Sequence, residues 1–216
     1  KVRRRAPSVP DLGNARSPRF TLVKTAGIGD TVILSAVIRK IRQEYPEAVI
    51  TLICADNNKA AVTLLGGIDQ VLTFRMKAPV RSLREVAQLP RQDIVLDFGP
   101  WARINSLITF FTPARFKVGF NRKGQYRHYI YDKPVIHRDD VHEADNYWNL
   151  LRAIGMGARD REPAIQATAG NTPVLPGAVV ILHPFPAGRG KELKEWPIER
   201  WGELGVFFCA NGFQVA

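Results

Sequence analysis

The stretch that decides the fold covers residues 20–42 and reads FTLVKTAGIGDTVILSAVIRKIR. Its first four residues form an apolar run that is typical of a buried strand. Farther along, apolar side chains recur at helical spacing, namely Ile33, Val37, Ile38 and Ile41. Because a turn that contains glycine separates these patterns, the stretch predicts a strand, a turn and an amphipathic helix, in that order.

The turn between this strand and this helix has the composition of an anion-binding loop. Gly27 and Gly29 let backbone N–H groups approach a ligand closely, and the N-terminus of the following helix adds partial positive charge. Asp30 stands at the mouth of the turn, where a carboxylate can cap the helix or act as a general base. Residue type and spacing fit either role of Asp30.

The alternation of apolar strands and helices continues along most of the chain. The later predicted strands cover residues 48–54, 70–74, 93–98 and 115–120. This alternation indicates an α/β fold with a Rossmann-like parallel sheet that helices cover on both faces. Since ligands collect at the carboxyl ends of parallel strands, we expect residues 27–30, Asp56 and residues 99–103 on one rim.

Composition divides the chain into four parts. Residues 1–19 are rich in proline and arginine and are predicted to form a disordered basic arm. Residues 20–169 form the first domain, and the residues at 170–177 have the proline and glycine content of a linker. At residues 178–216 a strand, a loop and a helix follow, which predicts the beginning of a second Rossmann-like domain that is incomplete in this sequence.

The net charge of +11 and the isoelectric point near 10.1 imply anionic partners. No RNA-binding motif or zinc finger accompanies this charge, so we expect no nucleic-acid partner. An anionic glycan or glycolipid and an anionic membrane surface fit the charge instead. No apolar run reaches the roughly 18 residues of a membrane span, and no signal-peptide core follows the basic N-terminus. We therefore expect a cytoplasmic protein that contacts the inner face of the cytoplasmic membrane peripherally.

Three arginines are candidates for contacts with an anionic acceptor. Arg103 belongs to the predicted rim, and Arg122 and Arg127 belong to the loop at residues 121–129, which also contains Lys123 and two tyrosines. Guanidinium groups bind carboxylates and phosphates through paired N–H donors. This loop fits either a binding loop for an anionic sugar or an ordinary solvated loop.

The cysteines and histidines do not predict a metal site. Cys54 and Cys209 lie far apart and are expected to be reduced thiols. His137 and His142 stand among carboxylates, but they lack the tight spacing of metal ligands, and the second of them falls in a predicted helix.

Six segments of the chain, taken together and in order, resemble glycosyltransferase family nine, which includes the ADP-heptose:lipopolysaccharide heptosyltransferases. They are the turn at 27–30, KVGF at 117–120, the helix that holds His142 and ends at 150–155, the His-Pro pair at 183–184, KEWP at 194–197 and ERW at 199–201. The resemblance covers the chain from about residue 20 to its last residue.

The resemblance implies a GT-B fold, in which an acceptor-binding N-terminal domain and a donor-binding C-terminal domain enclose a cleft. It implies that Asp30 is the catalytic base and that Lys194 contacts the diphosphate of the donor. We assign His183, Gly27 and Gly29 to donor binding as well. The implied reaction is inverting transfer of a heptose or related sugar from an ADP-sugar to a lipopolysaccharide core or similar glycan. No metal or other cofactor is expected, and this fragment alone is expected to be inactive.

Two other functions fit the residues. The chain can be a non-catalytic module that binds an anionic glycolipid, in which case Asp30 is replaceable. It can also be an NAD-dependent dehydrogenase, because Gly27 and Gly29 follow a strand and Asp56 follows the next one. In the dinucleotide fingerprint, however, a third glycine is needed where this chain has Val32.

Overall fold

A computed structural model describes residues 8–13, 15–157, 165, 177–186 and 191–216. The chain forms two compact units, a first unit over residues 1–168 and a second unit over residues 169–216. The predicted linker at 170–177 lies outside the described residues except for Gly177. None of the helices in the described part of the chain is long and apolar enough to cross a membrane.

The first unit is built on a six-stranded parallel sheet. Its strands are β1 (Arg19–Val23), β2 (Val49–Ala55), β3 (Gln70–Phe74), β4 (Gln92–Asp97), β5 (Ala114–Asn121) and β6 (Lys133–Ile136). They are ordered β3-β2-β1-β4-β5-β6, and every neighbouring pair is parallel. The predicted α/β fold is therefore confirmed. The strand order reverses between β1 and β4, which makes the carboxyl ends of these two strands the expected ligand site.

In the described part of the first unit, five helices cover the sheet. They are α1 (Ile28–Glu44), α2 (Lys59–Val62), α3 (Pro79–Ala87), α4 (Arg103–Phe111) and α5 (Glu143–Arg152). Alternate residues of β1 point to opposite faces, so Leu22 packs with α1, α2 and α5, whereas Val23 packs with α3 and α4. Because both faces are covered, the central strands are mostly apolar on both faces, as the sequence predicts.

Two features of the first unit differ from the sequence-based predictions. The edge strand β6 was not predicted, because its four residues KPVI are too short and too exposed to give a strand pattern. The segment before β1 was predicted to be a disordered arm, but Leu12 is buried and belongs to the hydrophobic core. Residues 1–7 and 14 of that predicted arm lie outside the described residues.

The second unit contains a two-stranded parallel sheet and one long helix. Strand β7 (Val179–Val180) pairs with β8 (Gln214–Val215), and α6 (Ile198–Ala210) connects them after a short 3₁₀ turn at Lys191–Leu193. The strand, loop, helix and strand thus follow in the predicted order. Both cysteines are free thiols, with Cys54 buried and Cys209 exposed.

A buried carboxylate links the segments that follow the strands at the carboxyl edge of the sheet. Asp97, the last residue of β4, has no exposed surface, and its Oδ2 accepts hydrogen bonds from Arg127 Nη2 at 2.8 Å and from the Tyr131 hydroxyl at 2.5 Å. Its Oδ1 accepts bonds from the backbone N–H of Gly99 at 2.9 Å and from Asn105 Nδ2 at 3.2 Å. One charge therefore connects β4, the start of α4 and the segment that follows β5.

We predict that Arg127→Met lowers the free energy of unfolding by about 3–5 kcal/mol, because it leaves the Asp97 carboxylate buried without its cation. Urea unfolding followed by circular dichroism measures the change. The matched control is Arg138→Met, whose ion pair with Asp140 is exposed to solvent, so its loss is expected to leave the free energy of unfolding nearly unchanged. Equal losses in the two variants would contradict a structural role of the buried pair.

Candidate active site

The candidate site is a cleft of about 110 Å³ at the point where the strand order reverses. One wall is the loop from β1 to α1, and the other is the segment from the end of β4 to the start of α4. The lining residues are Lys24, Thr25, Ala26, Gly27, Asp30, Gly99, Pro100, Trp101, Ala102 and Asn105. Gly27 and Asp30 thus meet residues 99–102 at one rim, as the sequence predicts, whereas Asp56 and Arg103, which were predicted on the same rim, are not among the lining residues.

The loop after β1 needs glycine at Gly27 for two reasons. Its φ of +83° lies in the left-handed region, and a Cβ there would stand 2.6 Å from Asp30 Oδ2. Helix α1 starts at Ile28, so Gly29 and Asp30 lie in its first turn, and the residue at the N-cap is Gly27. The alternative role of Asp30 as the N-cap is therefore wrong, and its carboxylate is available for other contacts.

The Asp30 carboxylate is held by a lysine that the sequence analysis did not single out. Lys24 Nζ lies 2.9 Å from Asp30 Oδ2 and also donates to the carbonyl oxygen of Phe98 at 3.3 Å. The Lys24 side chain is 4% exposed, whereas that of Asp30 is 47% exposed. The ammonium is thus enclosed by protein while the carboxylate faces the cleft. The only sequence signal for Lys24 is a cation immediately after a buried strand.

Two buried amide side chains fix the loop that carries this ion pair. Asn58 Nδ2 donates to the carbonyl oxygen of Lys24 at 2.9 Å and to Thr31 Oγ1 at 2.8 Å. On the other side, the Thr25 hydroxyl is hydrogen bonded to Asn105 Oδ1, and Asn105 is itself bonded to Asp97. The loop is therefore tied to both neighbouring strands, so it is held in place without a ligand.

Tyr147 of α5 contacts the loop that carries the ion pair. Its hydroxyl donates to the carbonyl oxygen of Asp30 at 3.3 Å, and Lys24 Nζ lies 5.5 Å from the centroid of its ring. Burial raises the pKa of the Tyr147 hydroxyl well above its ordinary value, and the negative charge of Asp30 adds to this shift. The hydroxyl therefore stays neutral and serves as a hydrogen-bond donor.

An aromatic side chain, Trp101, stands at the open side of the cleft with 64% of its surface exposed. The guanidinium carbon of Arg122 lies 3.5 Å from the centroid of its indole ring. That guanidinium is fixed in turn by Asp139, with bonds of 2.6 and 2.8 Å, and by His137 Nδ1 at 2.8 Å. Trp101 thus presents a flat apolar surface beside Asp30 on a rigid support.

The three predicted acceptor arginines have different environments. Arg103 is exposed as the first residue of α4. Arg122 lies behind Trp101 and is paired with Asp139. Arg127 is 2% exposed, and its donors are used by Asp97, Ser106, Gly99 and neighbouring groups. The prediction that Arg127 contacts an acceptor directly is therefore at odds with its burial, since no face of its guanidinium is open to a ligand.

The donor candidates of the second unit lie on its surface. His183 and Lys194 are both exposed, and Lys194 follows the 3₁₀ turn. A cleft of about 460 Å³ lies beside them within this unit. Its lining residues are Pro184, Phe185, Glu192, Glu195, Trp196, Pro197 and Ile198. The His-Pro segment and the KEWP segment therefore border the same cleft.

Within the described residues, no group of three or more histidine, cysteine or carboxylate side chains is arranged to hold a metal ion. His137 instead contacts Arg122 through Nδ1 and Glu143 through Nε2, each at 2.8 Å. His142 is the N-cap of α5, where Nδ1 accepts the backbone N–H of Ala144 at 3.2 Å.

The two glycines of the loop are expected to respond differently to alanine. Gly27→Ala should lower the free energy of unfolding by about 1–2 kcal/mol, because alanine is strained at positive φ and its Cβ displaces Asp30 from Lys24. Gly29→Ala is the control, because no atom lies within 4 Å of its Cβ position and alanine favours the helix. Urea unfolding of both variants tests this, and wild-type stability of Gly27→Ala would contradict it.

Comparison with known proteins gives structural neighbours only. No protein-family model matches the chain, and no curated protein matches it. A glycosyl transferase family 9 structure from Veillonella parvula DSM 2008 aligns with a TM-score of 0.73 at 18% identity, over 92% of this chain and 62% of that chain. The E. coli heptosyltransferase WaaC with ADP aligns with a TM-score of 0.72 at 18% identity, over 91% of this chain and 65% of that chain.

A third structure, the E. coli ADP-heptose lps heptosyltransferase II, aligns with a TM-score of 0.68 at 15% identity, over 91% of this chain and 63% of that chain. The chain thus spans a little under two thirds of the length of these neighbours. The alignments cover nearly all of this chain, including its six-stranded sheet. The chain therefore shares the fold of the glycosyltransferase family 9 and heptosyltransferase structures.

Proposed function

We propose that this chain is the acceptor-binding part, together with the start of the donor-binding part, of a glycosyltransferase of family nine. The observation that carries the proposal is the pair formed by buried Lys24 and half-exposed Asp30 at the strand-order reversal. The shared fold supports it, because the neighbours are named as glycosyltransferases and heptosyltransferases. The motifs at 183–184 and 194–197 add a resemblance that covers the second unit.

Asp30 has the properties that the reaction requires of a general base. The acceptor hydroxyl oxygen attacks the anomeric carbon, the bond from that carbon to the diphosphate breaks, and the hydroxyl proton passes to the carboxylate. Lys24 holds Oδ2 of Asp30 at 2.9 Å, which leaves the other carboxylate oxygen to face the acceptor. In this role Lys24 is a positioning residue, because it is enclosed by protein and acts through Asp30.

The donor is proposed to be an ADP-sugar, with a heptose or related sugar as the transferred group. Two of the neighbours are named for ADP or ADP-heptose, which supports this choice. The leaving diphosphate needs positive charge, and an exposed lysine such as Lys194 supplies it without a metal. We assign His183 to the same site because its segment borders the same cleft of the second unit.

The acceptor is proposed to be an anionic glycan or glycolipid of the lipopolysaccharide-core type. Arg103 is exposed at the start of α4, beside the cleft, and offers a phosphate or an acidic sugar a cation that has no ion pair among the described residues. Trp101 offers a flat apolar surface against which the C–H face of a sugar ring can pack. The acceptor hydroxyl would thereby be presented to Asp30 by one charged and one apolar contact.

The alternative of a non-catalytic glycolipid-binding module predicts the same surface but gives Asp30 no chemical role. The exposed carboxylate of Asp30 favours the enzyme. A negative charge beside the ligand weakens the binding of an anion, so a module that only binds gains nothing from it, whereas a transferase needs it as a base. Activity of the Asp30 variant distinguishes the two functions.

Asp30→Asn in the full-length gene product is expected to lower the rate of transfer by about 10²–10⁴-fold, because the amide cannot accept the proton. Transfer from ADP-heptose is measured by ADP release, and ADP binding by calorimetry should be unchanged. Asp56→Asn is the matched control, since Asp56 is an exposed carboxylate after β2, outside the cleft lining. If Asp30→Asn retained wild-type transfer, the base assignment would be wrong and the binding module favoured.

Trp101→Ala is expected to raise the KM for the acceptor about tenfold while kcat changes less than about twofold. The reason is that the Trp101 contact would stabilise the bound acceptor and the transition state equally. Trp101→Phe should keep most of the affinity. Tyr129→Ala provides the control, since Tyr129 is an aromatic side chain that is 80% exposed and lies outside the cleft lining. An unchanged acceptor KM in Trp101→Ala would exclude Trp101 from the acceptor site.

A further inference from the structure

Helices α3 and α4 expose a continuous apolar surface, here called the α3–α4 face. It consists of Val80, Leu83, Ala87, Leu107, Phe110 and Phe111. Leu107, Phe110 and Phe111 are spaced to share one side of α4, and they are 44%, 57% and 42% exposed. The core that contains Val86 and Ile108 lies on the sheet side of these helices. Leu83 packs against that core, whereas Val80, Leu107 and Phe110 remain largely exposed in the described chain.

The two helices contribute to one surface rather than to two separate patches. Phe111 lines a groove of about 340 Å³ together with Val80, Leu83, Arg84 and Ala87 of α3. The rings of Phe110 and Phe111 lie 5.2 Å apart, centroid to centroid, and extend the groove along α4. An exposed apolar area of this kind, with aromatic side chains at its centre, is typical of a surface that binds a partner or a membrane.

Positive charge surrounds the α3–α4 face. Residues 75–89 contain four cations and one carboxylate, and residues 103–117 contain three cations and no carboxylate. Glu85 is paired with Arg75 and Arg81, and Arg115 is paired with Asp93, which lies outside these two ranges. The unbalanced charge near the apolar side chains is therefore positive.

Two of these cations stand next to the aromatic rings. Arg84 lines the groove itself and forms no ion pair with any residue that the structure describes. Lys117 Nζ lies 5.8 Å from the centroid of the Phe110 ring and donates to the carbonyl oxygen of Phe110 at 2.7 Å. Aromatic side chains flanked by cations are the combination that inserts into the boundary between headgroups and acyl chains.

The α3–α4 face also lies close to the candidate active site. Helix α4 begins at Arg103, between Ala102 and Asn105, which both line the cleft. Phe110 follows Asn105 by five residues, which is about 8 Å along the helix axis. A molecule anchored at this face would therefore have its polar head within reach of the cleft.

We propose that the α3–α4 face docks the protein on an anionic phospholipid surface, with Leu107 and Phe110 inserted among the lipids and Arg84 against their phosphates. The charge complementarity selects this occupant over a second copy of the chain, because two copies of a cationic face repel each other. The docking follows from the face itself. Only its use, the presentation of a membrane-held acceptor to Asp30, rests on the proposed function.

Sedimentation with vesicles tests the proposal on the full chain. We expect binding to vesicles of phosphatidylcholine and phosphatidylglycerol at 7:3 that is at least about tenfold tighter than binding to pure phosphatidylcholine, and that weakens in high salt. Leu107→Ser combined with Phe110→Ser should weaken binding at least about tenfold. Arg84→Gln should weaken it about fivefold, the effect of one cation near an anionic surface.

Matched controls separate this face from general effects of charge and folding. Ile136→Ser removes an apolar side chain that is 71% exposed on the edge strand β6 and should leave vesicle binding unchanged. Asp30→Asn should also bind vesicles as the wild type does. A loss of transfer in this variant therefore tests the proposed function, and vesicle binding tests the docking proposal separately. If the double serine variant unfolds at a lower temperature, Arg84→Gln carries the test, because its side chain is outside the core clusters.

Two results would overturn the proposal. The first is wild-type vesicle binding by both the double serine variant and Arg84→Gln, which would place lipid contacts elsewhere. The second is no vesicle binding together with a dimer in sedimentation velocity that the double serine variant abolishes, which would assign the face to a second copy of the chain.

Discussion

The site depends on the buried charge of Asp97. This carboxylate has to be satisfied inside the protein, and the groups that satisfy it come from separate parts of the chain: Arg127 from beyond β5, the backbone of Gly99, and Asn105 from α4. Asn105 in turn accepts a hydrogen bond from Thr25, which lies in the loop after β1. Because an unpaired buried charge is costly, these segments are held in one arrangement, and both walls of the cleft are set by it.

A second ion pair, Lys24 with Asp30, places an oriented carboxylate in this cleft. Lys24 and Asp30 differ about tenfold in side-chain exposure, so the pair is neutral in sum and its carboxylate is the accessible group. An exposed pair would gain little from its mutual attraction, whereas the buried ammonium keeps its partner in one orientation. The absence of a Cβ at Gly27 leaves the room that this orientation needs.

The net charge of the chain is spread over groups with very different tasks. Arg127 and Lys24 are buried and form ion pairs inside the protein, and Arg122 is paired with Asp139 behind Trp101. The cations of α3 and α4 remain outside, beside exposed aromatic rings. A count of basic residues therefore indicates an anionic partner but not the surface that meets it, because burial decides which cations are available.

The sequence by itself determined the strand, turn and helix of residues 20–42, the parallel sheet and the rim where Gly27 and Asp30 meet residues 99–102, since these follow from local periodicity and from the geometry of parallel strands. It missed β6, whose four exposed residues give no periodic signal. Only the tertiary structure decided that Arg127 is internal and that Lys24 holds Asp30. Their partners are distant in sequence or depend on burial, and neither property leaves a local pattern.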